Sequence, residues 1–244
     1  MGTDYARSAA YYDLIYEAAG KDYARESRQM HGLIQQRKRN QGRALLDVAC
    51  GTGGHLTHLR EHYDVEGLDL SPHMLAVARG KHPDLTFHQA DMTTFDLGRR
   101  FDAIVCLFSA IAYAHTTESL RQVLRNMTRH LHPGGVLIAE PFIRPEDVIP
   151  NHVGAVMVDR PDLKVARVNV SRVEGRVVAL HFHYLVARPA GIDHFTEQHD
   201  LAVFSVEEYL AAFRDAGLEA TFDPEGLMGR GLYVGLRPLE AKSA

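Results

Sequence analysis

The stretch Ala44-Leu45-Leu46-Asp47-Val48-Ala49-Cys50-Gly51-Thr52-Gly53-Gly54-His55-Leu56 begins as an apolar run, turns sharply through glycines and enters a helical pattern from about His55. An unbroken apolar run reads as a strand buried on both faces of a parallel sheet. Strand, glycine turn and helix form the first half of a nucleotide-binding βαβ unit, in which bare backbone and a helix N-terminus approach a ligand. A dinucleotide fingerprint wants glycine or alanine where Leu56 stands, so NAD and FAD fit poorly. No Gly-Lys-Ser or Gly-Lys-Thr follows, which excludes a P-loop.

Working outward, the pattern repeats. Residues 64–70 read as a second strand, and Ser71-Pro72 starts a helix as N-cap and first helical residue, ending near Gly80. Residues 85–88 form a short third strand leading into Gln89-Ala90-Asp91-Met92, and the apolar 101–108 a fourth. A helix over 117–130 is expected to stop at Pro133-Gly134-Gly135, before a fifth strand at 136–140. Strict alternation of strand and helix implies a parallel sheet with right-handed crossovers. Between 143 and 203 the pattern becomes four alternating strand-like runs punctuated by Gly175 and Gly191, the mark of an inserted antiparallel sheet with one wet face. Ser205-Val206-Glu207-Glu208 is a capping box, and its helix is followed by two last strands near 218–222 and 231–236. Upstream, residues 4–38 read as helical and tyrosine-rich, with a second helix from about Asp22 to Gln36. The tyrosines serve either as packing over the core or as a lid.

The chain has 244 residues, 45% hydrophobic, enough for one α/β domain with an embellishment. A net charge of -4 argues against non-specific nucleic-acid binding, which needs a broad basic face. The two cysteines, Cys50 and Cys106, sit in apolar runs and read as small buried side chains. No apolar run approaches the roughly 20 residues that span a bilayer, and Met1-Gly2-Thr3-Asp4-Tyr5 lacks an apolar signal core. A cytoplasmic protein without a membrane partner is expected.

Asp47-Val48-Ala49-Cys50-Gly51-Thr52-Gly53 resembles the first motif of class I S-adenosylmethionine-dependent methyltransferases. The later landmarks fall in order: Asp69 ends the second strand, where that family holds the ribose hydroxyls. Ala90-Asp91-Met92 follows the third, where it grips adenine, and Pro133-Gly134-Gly135 precedes the fifth. Tyr12-Asp13-Leu14-Ile15-Tyr16 with Gly20-Lys21-Asp22-Tyr23-Ala24, and Gly229-Arg230-Gly231-Leu232, are similar to nucleotide-sugar N,N-dimethyltransferases that make dimethylamino sugars for macrolide antibiotics. One departure is Phe142-Ile143-Arg144-Pro145, where further aromatic residues are expected. The resemblance implies a seven-stranded doubly wound Rossmann-like methyltransferase sheet with an inserted antiparallel β-sheet. Residues 1–142 and 204–244 would bind S-adenosylmethionine beneath an N-terminal helical lid, and 143–203 would cover the substrate and support a homodimer. It further implies N-methylation of a dTDP-linked deoxyamino sugar. Two alternatives are a methyltransferase for another small amine or hydroxyl, and an S-adenosylmethionine-binding module without turnover.

On this reading the cofactor contacts are Tyr16, Tyr23, Asp47, Ala49, Gly51, Gly53, Asp69, Leu70, Met74, Asp91, Met92 and Leu107. A carboxylate such as Asp69 can accept two hydroxyl hydrogen bonds, and a sulfonium favours tyrosines and acids around it. Tyr16, His115 and Glu140 are the catalytic candidates, because they precede the glycine turn or end the fourth and fifth strands, at the edge where such sheets bind ligands. Ser109, His181, His183 and Arg230 are the substrate candidates; arginine between glycines suits a diphosphate. His181 and His183, with His194 and His199, also raise a metal site, but no cysteine or tight carboxylate cluster joins them, and pocket lining or plain sheet surface is the better reading. Lys21 reads as a solvated surface lysine.

Overall fold

The computed structural model describes residues 5–240. After a short 3-10 turn come α1 (Tyr12–Ala18) and α2 (Tyr23–Arg37). The alternating region follows as β1 (Ala44–Val48), α3 (Leu56–Leu59), β2 (Asp64–Asp69), α4 (Pro72–Lys81), β3 (Thr86–Gln89), β4 (Phe101–Cys106), α5 (Thr117–Arg129) and β5 (Leu131–Ala139). Next come β6 (Val153–Arg160), β7 (Leu163–Glu174), β8 (Val177–Arg188) and β9 (Gly191–Ala202), then α6 (Val206–Asp215), β10 (Glu219–Asp223) and β11 (Leu232–Leu236).

Seven strands form one sheet in the order β10-β11-β5-β4-β1-β2-β3, with β11 antiparallel to both of its neighbours. This is the doubly wound sheet expected from the sequence. Every residue of β4 is buried, as its apolar run requires at the centre of the sheet. One face is covered by α5 and α6, through Leu120, Leu124, Tyr209 and Phe213. The other is covered by α2 and α3, through Met30, Ile34, Leu56 and Leu59. Strand order reverses between β1 and β4, which opens a crevice beyond their carboxyl ends.

The four strands β6 to β9 form a separate antiparallel meander. Its inner face packs Val158, Val165, Phe182, Tyr184 and Phe195 against Ile15 and Leu14 of α1. Its outer face leaves Val153, Met157, Val168, Val170, Leu185 and Ile192 exposed.

Two local expectations change. Helix α5 ends at Arg129, with His130 as C-cap, and Pro133-Gly134-Gly135 lies inside β5 rather than before it. The register explains this: Phe101 pairs with Leu131 but Ala103 with Val136, so the intervening residues bulge out of the ladder. Gly134, at φ 76°, gives its N–H to Arg237 and its carbonyl to Arg39.

Candidate active site

The crevice begins at the end of β1. Ala49 adopts φ 60° and Gly51 φ 55°, so the chain folds back beneath the tip of β2. Asp69 holds this turn in place: its Oδ2 accepts the Gly51 N–H at 2.8 Å and its Oδ1 the Ser71 N–H at 2.8 Å. Ser71 in turn caps α4 by accepting the Met74 N–H. Across the crevice, at the end of β4, Phe108 and Ser109 also have positive φ, 52° and 68°. Backbone strain on both strand tips at the switch point is typical of ligand-binding sites. The Glu140 carboxylate accepts the Phe108 N–H at 2.7 Å, and the Arg230 guanidinium donates to Ser109 Oγ at 2.9 Å. The strained pair is thus held from two sides.

A first cavity of about 300 Å³ lies over β1 and β2. Asp47, Ala49, Gly51, Asp69, Leu70, Asp91, Met92, Leu107 and Tyr23 line it, as expected, and His115 stands at its edge. Burial, followed by the nearby Asp69, pushes the Asp47 carboxyl up to about 8. Asp69 is also raised by burial, against the pull of its two N–H partners. Among the described residues lining this cavity are three aspartates and no lysine or arginine. With no cation to receive phosphate, this acidic lining suits a cationic ligand with hydroxyls to donate, which favours the ionised form of the raised carboxyls. S-adenosylmethionine, with its sulfonium, ammonium and ribose, fits these residues.

A second cavity of about 360 Å³ lies between the end of β4 and the inner face of the four-stranded sheet. Tyr16, Ser109 and Arg230 line it, together with Arg167, Asn169, Phe142, Ile143 and His199. Its cations, Arg167 and Arg230, outnumber its one carboxylate, Asp147. The two cavities share a wall of Tyr5, Tyr12, Phe108 and Tyr113. Tyr16 stacks in this aromatic row, its ring 4.6 Å from Tyr12 and 4.7 Å from Phe108, with the Arg167 guanidinium 4.9 Å above it. Helix α1 is tied to the glycine turn by Asp13, which accepts from the Thr52 hydroxyl at 2.5 Å and pairs with Lys81 at 2.7 Å.

Several candidates stand elsewhere than the sequence reading put them. Tyr16 lines the second cavity rather than the first. Gly53 turns the chain at φ 74° behind the first cavity, where a Cβ would press on His82. Met74 is buried in the core beneath that cavity. Glu140 is wholly buried and lines neither cavity; it reaches the site through the Phe108 backbone. His115 Nε2 donates to the Asp200 carbonyl, 2.8 Å away, and is exposed at the rim. His181 and His183 lie on the outer face of the four-stranded sheet, because Phe182 and Tyr184 between and beside them point inward. His183 meets only His194 there, at 3.2 Å. Among the described residues no cluster of three metal-ligating side chains occurs.

Lys21 is the clearest correction. Its ammonium is buried 2.7 Å from Glu26 Oε2, which also contacts His55 Nε2 at 2.8 Å, and it lies 3.8 Å from the Phe108 ring. The sequence reading missed Tyr113 and Arg167 as site residues and named His199 only among the histidines weighed for a metal. Strand parity was the available signal, since Arg167 shares a face with the buried Val165 and His199 with Phe195.

A profile described as a methyltransferase domain matches residues 45–135. The chain is 44% identical over 230 residues to the dTDP-3-amino-3,6-dideoxy-alpha-D-glucopyranose N,N-dimethyltransferase of Streptomyces fradiae, covering 93% of this chain and 90% of that protein. It is 42% identical to the dTDP-4-amino-2,3,4,6-tetradeoxy-D-glucose N,N-dimethyltransferase of Saccharopolyspora spinosa, covering 93% and 91%. The S-adenosylmethionine-bound structure of an amino pentose methyltransferase from Micromonospora echinaspora, involved in calicheamicin biosynthesis, superimposes with a TM-score of 0.84 at 41% identity, covering 93% and 96%. Sheet order, crevice and likeness over almost the whole length agree: the chain is an S-adenosylmethionine-dependent methyltransferase and belongs to the family of the dTDP-amino sugar N,N-dimethyltransferases.

Proposed function

We propose that this enzyme methylates the amino group of a dTDP-linked deoxyamino sugar, twice, for antibiotic or related secondary-metabolite biosynthesis. The observation that carries the reading is the split of charge between two cavities that meet at one aromatic wall. The acidic cavity suits the cationic methyl donor and the arginine-lined cavity suits a diphosphate. Tyr5, Tyr12, Phe108 and Tyr113, where they meet, would enclose the amine. S-adenosylmethionine supplies an electrophilic methyl group. The chain's own contribution is to align the amine lone pair with it and exclude water, and orientation alone can supply about 7–11 kcal/mol at its limit. Asp69 would hold the ribose, Asp91 and Met92 the adenine, and Tyr23 the lid. Ser109 and Arg230 would hold the diphosphate, with Glu140 keeping the strained Phe108–Ser109 turn beneath them. Residues 143–203 would act as the acceptor-covering unit.

Mass spectrometry of reactions with dTDP-linked 3-amino and 4-amino sugars tests this, the expected product having gained two methyl groups. Arg230→Ala should raise KM for the nucleotide sugar by about 10- to 100-fold, the worth of one hydrogen bond to a charged group. Its affinity for S-adenosylmethionine, measured by calorimetry, should stay unchanged. No transfer to any nucleotide-linked amino sugar, with cofactor binding intact, would sink the assignment.

Both reactants carry fixed charges and do not cross membranes unaided, which supports a cytoplasmic site of action. Among the described residues no helix is long and apolar enough to cross a membrane. The exposed outer face of the four-stranded sheet, with Met157, Val168, Val170 and Leu185, supports a homodimer built on it. Light scattering that reports a monomer at assay concentration removes the dimer.

A further inference from the structure

Methylating an amine requires a lone pair, yet an amino sugar reaches the site largely as its ammonium ion. Each of the two rounds therefore has to dispose of one proton. The wall between the cavities carries a hydrogen-bonded row that leads away from the amine's position. The Tyr5 and Tyr113 hydroxyls are 2.7 Å apart, and the Tyr113 hydroxyl is 2.6 Å from His199 Nδ1. Behind the imidazole, Glu197 Oε2 lies 3.8 Å from Nε2 and has no other partner among the described residues, while its Oε1 accepts the Ser8 N–H at 3.2 Å. All four side chains of the row are buried or half-buried, and His199 is 5% exposed.

We propose that His199, reached through Tyr113 and backed by Glu197, is the group that takes the substrate's proton. The inference rests on the amino-sugar reading above. The ammonium donates to the Tyr5–Tyr113 hydroxyl pair, Tyr113 passes its own proton to His199 Nδ1, and the free amine is left with its lone pair. The imidazolium so formed faces the Glu197 carboxylate. After the amine–methyl bond forms and the methyl–sulfur bond breaks, the nitrogen again carries a positive charge. His199 lines the second cavity and returns its proton to water there when ligand leaves, ready for the second round.

The surroundings suit this assignment. The Glu197 carboxylate on the Nε2 side favours a proton on that nitrogen, which leaves Nδ1 to accept from the Tyr113 hydroxyl. Burial raises Tyr113 and Tyr5 above the ordinary phenol range, so both stay protonated and relay rather than store the charge. Burial also raises Glu197, but His199 and Ser8 pull it below the usual carboxylate range, which keeps it anionic behind the imidazole. The groups that face His199 are Tyr113 from the turn after β4, Tyr5 from the N-terminal segment, Glu197 on its own strand and the Phe182 ring from β8. Arg167 from β7 lies over that ring, its guanidinium 4.7 Å from the centroid.

The test is kcat against pH at saturating nucleotide amino sugar for the parent, His199→Gln and Tyr113→Phe. Glutamine keeps an acceptor for the Tyr113 hydroxyl but does not take up a proton. Both variants should lose about 100-fold in kcat at neutral pH, the low end of general-base effects, with the cofactor affinity of His199→Gln within error. The loss should shrink as pH rises and solution supplies the free amine. A loss of equal size at every pH, or parent-like kcat in either variant, overturns the relay. If His199→Gln melts early, the isosteric Tyr113→Phe still decides it. A parent enzyme that methylates no nucleotide amino sugar is the separate failure of the functional reading.

Discussion

Asp69→Ala is expected to weaken S-adenosylmethionine binding by about 10²- to 10⁴-fold, read by calorimetry. Two hydrogen bonds to a charged acceptor are worth about 1.5–3 kcal/mol each, and every 1.4 kcal/mol is a factor of ten. The same carboxylate organises the site before any ligand arrives, since it accepts from Gly51 on the β1 turn and from Ser71 at the start of α4. Alanine leaves both N–H groups facing an apolar gap, so the variant should also melt earlier than the parent. Asp69→Asn keeps one acceptor and should fall between. Binding of Asp69→Ala within error of the parent would remove Asp69 from the cofactor site.

The neighbouring Asp47 gives this binding a pH signature. Its carboxyl is pushed up to about 8 in the fold, against an ordinary value of 3.8. A carboxyl raised on folding costs stability as pH climbs between those two values, because the folded state holds a proton that the unfolded state has lost. A cationic ligand favours the ionised form and drives that proton off. Affinity for S-adenosylmethionine should therefore rise with pH up to about 8 and then level. Asp47→Asn should flatten the curve.

The order of elements was legible because each buried strand of the parallel sheet is short, apolar and bounded by turn residues, and the starts of α2, α4, α5 and α6 carry their own caps. Ser71, Thr116 and Ser205 all cap as their sequence context requires. The lining of the first cavity was legible for the same reason: Asp47, Gly51, Asp69 and Asp91 sit at strand ends, and strand ends are what the pattern locates. The second cavity was harder. It is built from side chains on the four-stranded sheet, where the whole outcome depends on parity. Reading His181 and His183 as inward puts Phe182, Tyr184 and Val186 in water, and the larger apolar set wins the buried face. His199 meets Tyr113 across 86 residues, a contact that periodicity cannot register. Glu140 was placed at the right strand end, either to attract an ammonium substrate or to hold a hydrogen-bond network, and it accepts the Phe108 N–H. The bend that turns Phe108 and Ser109 to positive φ puts the backbone, rather than the carboxylate, against the cavity.

Lys21→Met should destabilise the folded enzyme by about 3–5 kcal/mol at neutral pH, the cost of leaving a buried charge without its partner. The side chains of Lys21 and Glu26 are 1% and 0% exposed, so water cannot replace what is lost. Methionine fills the volume of the lysine stem, which confines the change to charge. Burial pushes Glu26 up, but the hydrogen bonds from His55 and Lys21 outweigh it and hold the carboxyl below its ordinary 4.5. A carboxyl lowered on folding stabilises the fold above that ordinary value and loses the effect as pH falls through the folded one. The gap between parent and variant should thus be full at neutral pH and close in acid below 4.5. Lys21→Met with Glu26→Gln should recover much of the loss, since the orphaned charge is gone. The single cation also faces Glu140, which burial raises and Lys21 lowers. Its removal should therefore reach the Phe108 turn that Glu140 supports, and with it the wall between the two cavities. Denaturant titrations of the three proteins across pH decide the matter: a single variant as stable as the parent, or one whose deficit persists undiminished in acid, rules out a buried ion pair as the clasp between α2 and the catalytic wall.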